Sequence, residues 1–144
     1  MLKVICNDSK LVPSLGTEGS GGYDLRLTND VCIPRNERVK VGTGVKMQIP
    51  QGFVGMVIPR SSTGKKGLRL ANTIGLIDSD YQGEIFLVIE NIGTDTFLGY
   101  KYDTLFQIVI VPFLMSEILT VDSFESITTR GEGGFGSTDN GRRK

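Results

Sequence analysis

No stretch of this chain repeats its apolar residues at the three-and-four spacing of an amphipathic helix; from end to end they come in short runs stopped by Gly, Pro, Asn or Asp. Val45, Met47 and Ile49 alternate with Lys46 and Gln48 and stop at Pro50-Gln51-Gly52, the period-two pattern of a strand with one face in a core. Phe53 to Ile58 follows as its expected hairpin partner. Ile85 to Ile89 and Ile108 to Val111 are unbroken apolar runs, bounded by Asn91-Ile92-Gly93 and by Pro112, and read as strands buried on both faces. The one place for a brief helix is Ser62 to Lys66. The pattern is all-β, a barrel or a sandwich, and not α/β. At 144 residues the chain fits one domain with its own core. From Arg130 to Lys144 the only large apolar side chain is Phe135, among glycines, small polar residues and charges, so this end reads as a flexible arm.

Composition then narrows the chemistry. There are 16 basic and 16 acidic residues, so no overall positive field draws the chain to nucleic acid or to a membrane surface, and a bound polyanion must be met locally. Histidine is absent, which removes Ser-His and Cys-His catalysis and histidine-ligated metals and leaves a carboxylate, lysine or tyrosine as the base. Cys6 and Cys32 stand alone, without the spacing of a zinc site or a disulfide scaffold. With no signal-peptide pattern and no apolar run of the ~20 residues a membrane helix needs, the expected location is the reducing cytoplasm. Glycine, at 19 of 144 residues, points to many tight turns or to backbone that closely approaches a ligand.

Four segments could carry chemistry. In Gly75-Leu76-Ile77-Asp78-Ser79-Asp80-Tyr81-Gln82-Gly83-Glu84 an approach strand meets a polar turn, which as structure alone is an ordinary hairpin. As chemistry, a rigidly held Asp78 at the hairpin mouth could orient and deprotonate a water. Pro59-Arg60-Ser61-Ser62-Thr63-Gly64 is either a solvated turn or a phosphate grip built from a guanidinium, hydroxyls and turn amides. Arg130-Gly131-Glu132-Gly133-Gly134-Phe135-Gly136-Ser137-Thr138 contains G-x-G-x-x-G without the strand and helix that a dinucleotide site requires. It is a linker, or a segment that wraps a ligand with Phe135 stacked on a base. Asp24, in Gly22-Tyr23-Asp24-Leu25-Arg26, could face an arginine or the water shell of a metal.

In this order along the chain, and with Asn72 and Gln107, the segments resemble the five ordered motifs of the trimeric dUTP diphosphatases. The resemblance spans residues 20 to 138. It implies a distorted, jelly-roll-like β-barrel over residues 1–125, a homotrimer, and an arm over 126–144 that closes a neighbour's active site. The implied activity is hydrolysis of dUTP to dUMP and pyrophosphate by water attack on the α-phosphorus, which keeps uracil out of DNA and supplies dUMP for dTMP synthesis. Asp78 would be the base, and Tyr81 would lie under the deoxyribose where a 2′-hydroxyl would clash. Gly75, Leu76, Ile77 and Phe86, helped by Asn72, would hold uracil through the backbone and reject cytosine, whose reversed donor and acceptor pattern strands buried polar groups. Arg60, Ser61, Ser62 and Gln107 would grip the phosphates, and Arg130, Phe135, Gly136, Ser137 and Thr138 would form the closing arm. Mg2+ would ride on the triphosphate, with Asp24 touching it only through water.

Three positions depart from the motifs: Thr104 stands where an arginine is usual, with Lys101 as its possible substitute, Phe106 replaces a small residue, and Asp139 replaces a glycine. A dCTP deaminase is the enzymatic alternative. A trimer that keeps the nucleotide pocket but serves a regulatory protein partner is the other.

Overall fold

In the computed structural model, which describes residues 1–135 and 137, the regular secondary structure is almost wholly strand. They run β1 (Lys3–Ile5), β2 (Ser14–Leu15), β3 (Tyr23–Arg26), β4 (Val31–Ile33), β5 (Arg38–Gln48), β6 (Phe53–Pro59), β7 (Leu68–Leu70), β8 (Gly75–Ile77), β9 (Glu84–Asn91), β10 (Phe97–Gly99) and β11 (Thr104–Pro112). One α-helix, α1 (Ser61–Lys65), starts a residue earlier than the sequence suggests. The strands form a four-stranded sheet ordered β1-β5-β9-β7, a pair β10-β4, and a five-stranded sheet ordered β2-β3-β11-β6-β8. All the described pairings are antiparallel. Leu25, Leu27, Leu87, Ile89, Leu105, Phe106 and Ile108 are fully inaccessible between the sheets, each contributing ~1.5–3 kcal/mol by leaving water. Phe106, the large residue in place of a small one, simply fills this core.

The alternation in β5 holds as expected: Val45, Met47 and Ile49 are buried while Lys46 and Gln48 are exposed. Two other expectations fail. Phe53 to Ile58 is a strand, but it pairs with β8 and β11 and not with β5. The chain changes sheets at Pro50-Gln51-Gly52, where Gly52 takes φ +81° and the Phe53 amide donates to the Pro50 carbonyl at 3.1 Å. A turn of this composition makes a corner between sheets as readily as a hairpin. Nor are the apolar runs buried on both faces. In β9, Ile85, Leu87 and Ile89 face the core while Phe86 is 45% exposed, and in β11 Val109, Ile110 and Val111 are only half-buried.

Two bulges shape the framework. In β5 the register against β9 shifts between Gly42 and Lys46. There the buried Thr43 hydroxyl donates to the Ile85 carbonyl at 2.8 Å, and Gly44 turns at φ +68° to give its amide to Glu84 Oε1 at 2.9 Å. A side chain at Gly44 would meet Leu11 Cδ1 at 2.7 Å. In β11 the register against β3 passes from Thr104↔Arg26 to Phe106↔Leu25, so Leu105 is the extra residue. Regular structure ends at Pro112, and residues 113–135 contain neither strand nor helix. No helix of the described residues is long and apolar enough to cross a membrane.

Candidate functional site

Strand β11 lies between β3 and β6, and its ladder sets Gln107 opposite Asp24 on one side and Ile58 on the other. Residues facing each other across a ladder share a sheet face, so Asp24 and Gln107 are neighbours by construction. Gln107 packs over Gly22 so closely that a Cβ there would stand 2.6 Å from its Oε1. Its Nε2 donates to the Pro59 carbonyl at 3.4 Å. Arg60, just past β6, closes the group: its Nε lies 3.0 Å from Asp24 Oδ1, with side chains 36% and 13% exposed respectively. Of the two readings of Asp24 the arginine partner is the one observed, and it occupies one of the two carboxylate oxygens. Among the described residues no cluster of three or more Cys, Asp or Glu forms a metal site, so Asp24 offers a metal a single half-engaged carboxylate, suited to its water shell and not to a ligand cage.

The bulge in β11 anchors Arg60 from the other side. The Leu105 carbonyl accepts from the Arg60 amide at 3.1 Å and from the buried Thr63 hydroxyl. Nη1 of Arg60 donates to the Thr104 carbonyl at 3.2 Å and to the Thr104 hydroxyl. Ser61 and Ser62 open α1 with exposed side chains. Lys101 does not stand in at this point; its Nζ lies 3.8 Å from Asp8 Oδ2 and 4.9 Å from the centre of the Tyr102 ring. Thr63, one of the hydroxyls read as a phosphate donor, is buried and turned to the Leu105 carbonyl instead, and Thr104 is the residue that sequence reasoning left without a role.

The second group lies on β8 and the loop after it. β8 is the edge of the five-stranded sheet and pairs only with β6, through Val57↔Gly75, Met56↔Leu76 and Gly55↔Ile77. Its Leu76 is 61% exposed. The next strand, β9, belongs to the other sheet, so residues 78–83 bridge two sheets and are not the turn of a hairpin. Within this loop the Tyr81 amide donates to the Asp78 carbonyl at 3.2 Å and the Tyr81 hydroxyl to the Glu84 carbonyl at 2.8 Å. The ring folds over Gly83, where a Cβ would sit 2.6 Å from Tyr81 Cζ. Asn72 is adjacent, its Nδ2 3.9 Å from the Cβ that Gly75 lacks. Exposed Asp78, with Ser79 and Asp80, lines an open groove of about 650 Å³ together with Gln48, Ile49, Gln51, Phe113 and Met115. Phe86 stands in the other sheet opposite Gly42, with Lys40 Nζ 4.1 Å over its ring.

Arg130, Phe135 and Ser137 touch neither group. Arg130 Nε donates to the Gly133 carbonyl at 2.8 Å, the Ser137 amide to the Gly134 carbonyl at 3.0 Å, and Phe135 is wholly exposed. Gly136, Thr138 and Asp139 lie outside the described residues.

Comparison with known proteins agrees with the family resemblance. Residues 8–139 match the family described as dUTPase. The chain is 38% identical over 146 residues to the deoxyuridine 5'-triphosphate nucleotidohydrolase of Escherichia phage T5, covering 96% of this chain and 98% of that one. Among solved structures, a G164S mutant of the Staphylococcus bacteriophage 80alpha dUTPase with dUpNHpp superposes with a TM-score of 0.84 at 27% identity, over 96% of this chain and 98% of that one. A D95N mutant of the dUTPase from phage phi11 of S. aureus, described with a structural Mg(II) ion, gives 0.80 at 25% identity over 88% and 99%.

Proposed function

Because the chain belongs to the dUTPase family, we propose that it hydrolyses dUTP to dUMP and pyrophosphate. The observation that carries the reading within this chain is that edge strand β8 runs directly into Asp78 and the folded-over Tyr81. An edge strand has unpaired amides and carbonyls on its outer side, so the backbone of Gly75, Leu76 and Ile77 can meet the hydrogen-bonding edge of uracil. Tyr81, fixed through its hydroxyl, would lie against the sugar. Asp78 would take the proton of the water that attacks the α-phosphorus, and pyrophosphate leaves in line. Arg60, Ser61, Ser62 and Gln107 would hold the phosphates by charge-assisted and neutral hydrogen bonds. Magnesium on the triphosphate, when bound, supplies positive charge against the phosphate oxygens, and Asp24 would meet its water shell. We place this activity in the cytoplasm.

The same geometry supports active sites shared between subunits, as in the homotrimer that the motif resemblance implies. Asp78 follows Ile77, which pairs with Gly55, so it lies opposite Val54, six residues before Arg60 on β6. At ~3.3 Å per residue the two are about 20 Å apart along the strand. Three phosphorus atoms joined through single oxygens do not span that distance, so Asp78 and Arg60 would serve one substrate from different subunits. The apolar residues beyond the last strand support partner copies too: Leu114, Ile118, Leu119, Phe124 and Ile127 are all more than 80% exposed in the single chain. The arm from residue 126 onward, carrying Arg130, Phe135, Gly136, Ser137 and Thr138, would then close over a neighbour's site.

Pyrophosphate release with dUTP, dCTP and dTTP in magnesium buffer tests the reading. Release from dUTP alone is expected. Ammonia from dCTP would replace the reading with a deaminase, and tight nucleotide binding without turnover with a regulatory module.

A further inference from the structure

The hydrolase reading assigns Arg60 to the triphosphate but does not say what aims it. Arginine is long and loses much rotamer freedom when a ligand fixes it, so a grip that is ordered beforehand binds more tightly than one ordered on arrival. We infer that Thr104 is a positioning residue for the phosphate grip, resting on that reading: it fixes one edge of the Arg60 guanidinium while Asp24 fixes the other.

Nη1 is shared between the Thr104 carbonyl, at 3.2 Å, and the Thr104 hydroxyl, while Nε faces Asp24 Oδ1 at 3.0 Å. The two holders come from different strands, β11 and β3, so the plane of the guanidinium is set from both sides and Nη2 is the nitrogen left to donate outward. Thr104 is itself fixed. It sits where the ladder with β3 gives way to the bulge at Leu105, and a β-branched side chain in a strand has few rotamers to choose from. The bulged carbonyl of Leu105 holds the Arg60 amide at 3.1 Å. Two consecutive residues of β11 therefore hold both the backbone and the side chain of Arg60. Asp24 alone would leave the guanidinium free to swing about its one ionic contact.

The test is a double-mutant cycle in the full chain: steady-state pyrophosphate release from dUTP for the parent, T104V, T104S, R60A and R60A/T104V, with melting temperatures for each. T104V removes the hydroxyl acceptor at constant shape while the Thr104 carbonyl stays, and should lower kcat/KM about five- to tenfold, the scale of one ordinary hydrogen bond. T104S keeps the hydroxyl and should return kcat/KM to within about twofold of the parent. In the R60A background T104V should cost nothing further, because residues acting through one another are not additive. T104A, run in parallel alone and with R60A, keeps the cycle readable if valine disturbs the fold. Undiminished loss in the R60A background, failure of serine to rescue, or a parent-like T104V and T104A would overturn the role. A parent that releases no pyrophosphate would overturn the hydrolase reading and this one with it, whereas an active parent indifferent to Thr104 overturns this one alone.

Discussion

Arg60 is held at its side chain by Asp24 and Thr104 and at its amide by Leu105, whereas Arg130 touches only the turn it sits in, through the Gly133 carbonyl at 2.8 Å. Arg60 is proposed for the phosphate grip and Arg130 for the closing arm, yet one is prepared by its own chain and the other is not. The difference follows from what surrounds each. Arg60 directly follows β6, whose last residue Pro59 is paired with Phe106 of β11, and that ladder adds a constraint. The described residues from Thr128 onward make hydrogen bonds only among themselves, so whatever they contribute comes with an ordering cost at the moment of binding. Such a segment suits a closing element: it admits substrate when free, and closing over the site excludes water and aligns the reacting groups.

If the two regions divide the work in this way, variants should separate accordingly. The largest effect belongs to the base. D78N should lower turnover by about 10²- to 10⁴-fold while leaving affinity for a non-hydrolysable dUTP analogue close to the parent. R60A should also be strongly impaired. Because one chain holds Asp78 and Arg60 far apart, co-refolding D78N with R60A in equal amounts should restore about one intact site in four if subunits assort at random in a trimer. Activity of the mixture no greater than the sum of its parts would confine the site to one chain. Truncation before Arg130 comes next, with kcat/KM falling about 10²-fold and the melting temperature unchanged. A truncated protein that is fully active, or one that unfolds, would erase the distinction between body and arm.

How far the sequence disclosed this division depends on the kind of signal. Val45, Met47 and Ile49 were legible because a period of two maps directly onto one buried face. The partner of Phe53 to Ile58 was not, since Pro50-Gln51-Gly52 serves a sheet-changing corner as well as a hairpin, and only tertiary packing chooses. The same ambiguity made residues 78–83 look like a hairpin tip. Asp24, Arg60 and Gln107 were singled out from separate segments and the structure joins them; Phe86 was grouped with Gly75 to Ile77 and lies in the other sheet. The bulge that orients Thr104 left a faint trace: Leu105 and Phe106 are adjacent apolar residues, both fully buried, where alternation allows one. Glu90 leaves a clearer trace as a charge at the end of the run Ile85 to Ile89.

A smaller effect tests the arm by a single side chain. F135A removes the only large aromatic that the arm offers to a base, and stacking of that kind is worth ~1–3 kcal/mol per base. About a tenfold loss in kcat/KM is expected, with the melting curve superimposed on the parent's because a wholly exposed ring contributes no burial to the free protein. A drop in melting temperature would mean that Phe135 is already packed in the assembled protein, and would move it from the unprepared region to the prepared one.

The smallest expected effect on turnover, none at all, comes from Glu90, which belongs wholly to the body. It sits at the end of β9 opposite Arg38 of β5 and Arg69 of β7, with Oε1 3.2 Å from Arg38 Nη2 and Oε2 2.6 Å from Arg69 Nε. Its side chain is 10% exposed against 61% and 56% for the two arginines, so a single carboxylate tied to two outer cations laces three strands. The Arg69 hydrogen bond, with Arg38 adding to it and burial opposing, holds the Glu90 carboxyl below its ordinary 4.5. A group whose folded value lies below its unfolded one binds its proton more readily in the unfolded chain. Its stabilisation is thus full above about 4.5 and is lost as the pH falls through the lower, folded value. E90Q should therefore melt a few degrees below the parent at neutral pH, the two should converge in acid, and pyrophosphate release at neutral pH should be equal. Curves that stay parallel down to acid pH would assign the loss to packing instead of charge. An E90Q defect in turnover as large as that of F135A would show that the body transmits strain to the site, and the separation drawn between Arg60 and Arg130 would then describe where residues are held but not what each region does.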